Sequence, residues 1–180
     1  MKPVSLAAVW IPILAVAGCA QIERQVALSS GIAPSEVEWA RKAGANTVAG
    51  VATTKAPGPA GTAVTHTCAG QSANLIPDTA YARARMTAIF GNDTRGTRPA
   101  SQGPVKFGQD DPLYVSTLRT TRCDASGSFA FPRVPDGVWY VTTSVRWDGP
   151  AQVGGGQAEG GSMMQRLDVR GGRLVKVTLP

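Results

Sequence analysis

The sequence has little histidine, few aromatic residues, and no long apolar run. His66 is the only imidazole in 180 residues, so any acid–base chemistry at neutral pH has a single candidate of that type. Gly154–Gly161 is glycine-rich but lacks the Lys-Ser/Thr ending of a phosphate-binding loop, which leaves it as a flexible connection between strands. No Gly-x-Ser-x-Gly nucleophile elbow occurs. Apart from residues 4–17, which Pro12 interrupts, no apolar stretch approaches the length of a membrane-spanning helix. Aromatic residues make up only 6%, against 21 glycines and 13 prolines, a balance that favours a turn-rich β protein over a helical bundle.

What is present is basic. The formal charge of +6 and pI near 9.7 suit a surface that attracts anions: nucleic acid, anionic lipid headgroups or acidic glycans. The lysines and arginines are scattered, with no dense block, so the charge reads as a solvated basic surface and no nucleic-acid partner is expected. At 43% apolar residues the chain can build one real core.

The first twenty residues, MKPVSLAAVWIPILAVAGCA, have a positive end at Lys2, then a short apolar run, then Val16-Ala17-Gly18-Cys19. That ending resembles the lipobox of bacterial lipoproteins, where small residues let the signal peptidase approach the backbone and the cysteine thiol accepts diacylglycerol. The resemblance implies cleavage before Cys19 and a membrane anchor of two or more acyl chains, palmitate among them, enough for stable attachment. Ala20 stands where an aspartate retains many Gram-negative lipoproteins at the inner membrane, which in a Gram-negative organism points to the outer membrane.

With Cys19 lipidated, Cys68 and Cys123 remain. In an oxidising compartment they are expected to form a disulfide; shared metal binding is the competing reading, weakened by the wide spacing and the single histidine. Residues 19–45 read as a tether, and Ile22 and Val26 are spaced for partial helix. Within it a helix is expected over about 35–43, with Ser35 capping and Glu38 completing a capping box. Gly44 would stop it. Trp39 would either pack this helix on the domain or meet a partner.

From Asn46 onward the period is two. Ala82, Ala84, Met86, Ala88 and Phe90 fall on one face of a half-buried strand over Tyr81–Phe90, although Ala, Arg and Met also favour helix. Met163, Gln165, Leu167 and Val169, a turn at Arg170-Gly171-Gly172, and then Val175, Val177 and Leu179 read as a hairpin. The stretch from Cys123 to Val145 carries two turns, at Asp124–Gly127 and Val134–Gly137. Phe129 and Phe131 are expected in the core, as are Trp139 and Val141.

This order, Asp-x-x-Gly-x-Phe-x-Phe followed by Val-Pro-x-Gly-x-Trp-x-Val, resembles the carboxypeptidase regulatory-like family, also called transthyretin-like or prealbumin-like. Asn74–Pro77 resembles its earlier Val-x-Leu-x-Pro strand. The resemblance implies an all-β, seven-stranded Greek-key sandwich. In zinc carboxypeptidases this is an accessory domain, so it carries over no catalytic residue and implies no cofactor.

The expected layout is a signal peptide over 1–18, a lipid-anchored tether with its helix over 19–45, and the sandwich over 46–180. Asp93, Asp110 and Asp111 are candidate calcium ligands but lack the spacing of known calcium loops, so no metal site is expected. The irregular segment Gly91–Pro112 is the first place to look for ligand binding, or else a disordered insertion. The functional expectation is a non-catalytic envelope lipoprotein that binds a glycan or protein partner or serves a structural role. The alternative is a hydrolase of envelope material, working through His66.

Overall fold

The computed structural model describes residues 26–28, 31–58, 61–149 and 158–179; the signal segment, Cys19 and the start of the tether lie outside this set. Strand β1 (Asn46–Pro57) organises the first sheet. Its first half pairs antiparallel with β6 (Ser128–Val134), and its second half with β2 (Ala63–Thr67). Both lie along one edge: Ala52 N–H donates to the Gly127 carbonyl, and the Ala52 carbonyl accepts from Cys68 N–H. The other edge of β1 pairs in parallel with β9 (Leu174–Leu179). The second sheet is antiparallel throughout. Its order is β4 (Arg95–Pro99), β8 (Ala158–Val169), β7 (Gly137–Asp148), β3 (Ser72–Pro77) and β5 (Arg119–Arg122).

The sheets face each other across a core that includes Val48, Leu75, Phe129, Phe131, Trp139, Val141, Met163, Val169, Val177 and Leu179. Phe129, Phe131, Trp139 and Val141 are buried as the strand pattern required. The turns are also as expected: Asp124 Oδ1 accepts from the Ser126 and Ser128 amides, and Gly127 takes a left-handed φ of 80°. Cys68 and Cys123 form a disulfide, with Cα atoms 5.7 Å apart.

Several expectations are corrected. Nine strands are described rather than seven. Tyr81–Phe90 is not a strand: Ala80–Phe90 forms helix α2, after α1 at Pro34–Val37. The Thr79 hydroxyl caps its start by accepting from Ala82 N–H at 3.0 Å, and Gly91 ends it in the left-handed region. Between these stops, helix formers outweigh an alternation that is partly an accident of four alanines. The N-terminal helix begins earlier than Ser35. Pro34 takes the first helical position, and Glu36 rather than Glu38 reaches back to the Ala33 amide at 3.0 Å. A 3-10 turn follows over Glu38–Arg41, and the chain is extended by Lys42, ahead of Gly44.

The Gly171–Gly172 turn does not close a hairpin. It carries the chain from β8 across to the other sheet, where β9 joins β1. Gly91–Pro112 is not a structureless insertion. It supplies β4, which pairs with β8, then a 3-10 turn at Ala100–Gln102. Gly160 and Gly161 belong to β8; residues 151–157 lie outside the described set.

A second apolar layer explains why both faces of the five-stranded sheet are buried over part of their length. Ile76, Tyr140 and Met164 point away from the sandwich and are covered by Val37 of α1, Tyr81, Ala82 and Met86 of α2, and Tyr114 of α3 (Pro112–Thr117). Trp39 packs edge-on against Trp139, with ring centroids 5.0 Å apart, and so serves packing. Among the described residues no helix is long and apolar enough to cross a membrane.

Candidate functional site

The helical layer is too short to cover the sheet. An eleven-residue α2 spans about 16 Å, whereas each twelve-residue strand of the β7–β8 pair reaches about 40 Å. Where cover ends, the outward side chains change character. Along β7 they run Tyr140, Thr142, Ser144, Arg146, and Asn74 of β3 lies beside Thr142 while Ser162 of β8 lies beside Ser144. The result is a cleft of about 520 Å³ with a polar floor and a wall from α2 and α3, including Arg85, Ile89, Phe90 and Tyr114.

The floor's polar groups are partly unused. Asn74 Oδ1 accepts from the Thr120 hydroxyl, and its amide N–H groups have no partner among the described residues. The side chains of Thr142 and Ser162 make no hydrogen bond among the described residues.

Arg85 sits between Phe107 and Tyr114. Its guanidinium carbon lies 4.0 Å from the Phe107 centroid and 4.9 Å from the Tyr114 centroid, and it pairs with Asp110. Burial pushes the Tyr114 hydroxyl up to about 12, so it is a protonated donor at any working pH. Beyond Arg85 a second chamber of about 290 Å³ continues the cleft. It shares Arg85, Ile89 and Ser162, and adds Arg98, Phe107 and Arg146. Arg98 fixes its wall by donating to the carbonyls of Gly103 at 3.1 Å, Gln102 at 3.1 Å and Ile89 at 3.4 Å. A wider groove of about 630 Å³ lies over β1, β6 and β9, floored mainly by short side chains.

The residues singled out in the sequence are dispersed. His66 lies on β2 and stacks on Trp147, centroids 3.9 Å apart, while Trp147 Nε1 donates to Glu159. Among the described residues it makes no hydrogen bond to a hydroxyl or carboxylate, so the constellation a hydrolase would need is not formed there. Asp110 pairs with Arg85, whereas Asp111 caps α3 through Leu113 N–H and accepts from Ile32 N–H at 2.9 Å. Those backbone donors, Ile32 first, hold the Asp111 carboxyl below its ordinary value. No three His, Cys, Asp or Glu side chains cluster as a metal site among the described residues. The Gly91–Pro112 segment does contribute, through Arg98, Phe107 and Asp110. Sequence reasoning missed Arg85, Tyr114 and the polar floor. The Thr79 cap and Gly91 stop were the signal that would have placed Arg85 on a helix.

No protein-family model and no curated protein matches the chain. A solved structure does: the crystal structure of a "putative carbohydrate binding protein" from Pseudomonas aeruginosa, with a TM-score of 0.62 at 23% identity. The match covers 82% of this chain and 96% of that one, and at this identity it establishes a shared β-rich fold.

Proposed function

We propose that the protein is a non-catalytic glycan-binding module, held at the cell envelope by a lipid on Cys19, and that saccharide lies in the cleft between the five-stranded sheet and α2. The carrying observation is the pairing of unused polar groups with apolar surface. Asn74, Thr142 and Ser162 offer hydrogen bonds, and Ile89 and Phe90 line the same space. A sugar ring presents hydroxyls at its rim and C–H groups on its faces, so it needs both kinds of surface. The carbohydrate binding ascribed to the Pseudomonas aeruginosa neighbour supports this reading. So does the transthyretin-like signature, which we take to place the sandwich among accessory, non-catalytic domains.

Calorimetric titration of the full-length protein in detergent with a panel of oligosaccharides tests the site. Thr142→Val together with Ser162→Ala should lower affinity about tenfold or more without changing the circular dichroism spectrum. Unchanged affinity would remove the cleft from the proposal, and release of shortened saccharide would refute a non-catalytic role. The anchor is tested separately. Cys19→Ser should shift the protein out of the membrane fraction, and wild-type protein should carry acyl mass. The proposed destination is the outer membrane, since Ala20 follows the cysteine; sedimentation with inner-membrane markers would overturn it.

A further inference from the structure

We infer that the cleft selects an anionic glycan, one bearing ring carboxylates or sulfates, over a neutral one; this inference rests on the glycan-binding reading above. The outward floor runs from apolar to polar to cationic. Ile76, Tyr140 and Met164 lie under the helices, Asn74, Thr142, Ser144 and Ser162 follow, and Arg98 and Arg146 lie at the far end. The register produces this gradient. Arg98 of β4 stands opposite Ser162, Ser162 opposite Ser144, and Arg146 opposite Gly160. Arg85 adds a third guanidinium from the wall.

The two joined chambers thus hold three guanidiniums and one carboxylate, Asp110, which is already paired with Arg85. Arg98 is held by three backbone carbonyls. These fix its direction but leave its charge uncompensated. Arg146 is exposed and forms no ion pair among the described residues. The three carbonyls take three of the five N–H groups of Arg98, so Arg98 adds mainly charge, while the unpaired guanidinium of Arg146 offers the fork that matches a carboxylate or sulfate. The electropositive end would therefore take the acidic substituent, and the neutral floor the ring hydroxyls.

The test titrates full-length protein in detergent with oligogalacturonate, its methyl ester, neutral malto-oligosaccharide, dextran sulfate with unsulfated dextran, and single-stranded DNA as a plain polyanion. Oligogalacturonate binding at least tenfold tighter than its ester supports carboxylate as the source. Dextran sulfate preferred over dextran supports sulfate. In either arm Arg146→Gln should weaken binding about tenfold, Arg146→Lys should restore part of it, and Arg173→Gln, in the Gly171–Gly172 turn, should change nothing. Raising salt should weaken the acidic ligand and leave the neutral one unaffected. Equal affinity for acid and ester, together with no preference for dextran sulfate over dextran, would overturn the inference while leaving glycan binding intact. DNA binding as tight as the acidic saccharide would also overturn it. Failure of every saccharide would overturn both readings.

Discussion

Reducing the Cys68–Cys123 bridge should destabilise the protein by about 4 kcal/mol without altering its native structure. The bond closes a loop with a sequence separation of 55. In the chain-entropy account that removes about 14 cal/mol/K from the unfolded ensemble, or about 4 kcal/mol at 25 °C. The native state has little need of the bond for its shape. Two backbone hydrogen bonds already hold the two segments together: Gly70 N–H donates to the Cys123 carbonyl and Cys123 N–H to the Gln71 carbonyl, both at 3.0 Å. Ser72 and Arg122 then continue as the β3–β5 pair. Both cysteines are buried, at 0% and 4% exposure, so the bond should be reduced in denaturant and its loss then measured after refolding with reductant. At a urea slope of about 2 kcal/mol/M the midpoint should fall by about 2 M, with an unchanged far-ultraviolet spectrum in buffer. A midpoint that moves by less than about 0.5 M would refute the unfolded-state argument. A reduced protein that loses its spectrum without denaturant would refute the claim that the hydrogen bonds suffice.

Asn46 is 1% exposed; its side-chain amide donates to Val134 O and Asp136 Oδ1 while its side-chain carbonyl accepts from Arg173 N–H, tying two turns to the start of β1. Asn46→Ala should cost about 3 kcal/mol in urea denaturation, and a loss below about 1 kcal/mol would show that the turns close without it. Gly137 has a φ of 154°, and a Cβ there would lie 2.1 Å from the Trp39 ring, so Gly137→Ala should displace Trp39 and change its fluorescence; an unchanged spectrum and melting temperature would contradict that contact. The depressed Asp111 carboxyl contributes stability at pH values above its ordinary 3.8 and loses it as pH falls through the lower folded value. Because the group is partly solvated, Asp111→Ala should cost only about 1 kcal/mol at pH 6, with the gap to wild type narrowing below about pH 3.8; a constant gap would mean that charge plays no part.

The turns around Asp124 and Gly137 were legible in the sequence because their chemistry is local, and Phe129, Phe131, Trp139 and Val141 followed from alternation next to them. Partner choice was not local. Gly171–Gly172 suits a hairpin and a crossing between sheets equally well, and only the vacant edge of β1 decides between them. In α2 the same residues satisfy two periods, and the second apolar layer selects the helix. The cleft draws on β3, β7, β8, α2 and the segment after β4, so no short motif encodes it. Arg85 looked like one face of a strand, and Asn74 looked like part of a family signature.

The parallel pairing of β9 with β1 sets a condition on folding. Thr47 to Ala52 can complete both edges only when Leu174 to Leu179 arrive, and the loop that must close between them contains every strand of the second sheet. Contacts so distant along the chain raise contact order and slow the search. Until that search ends, β1 keeps one row of amides and carbonyls open to any neighbouring strand. A chain synthesised from its N-terminus therefore passes through an interval in which five-strand assembly can proceed but the four-strand sheet is sticky. Aggregation yield should thus depend on how quickly residues 174–179 become available, more than on the stability of the finished sandwich.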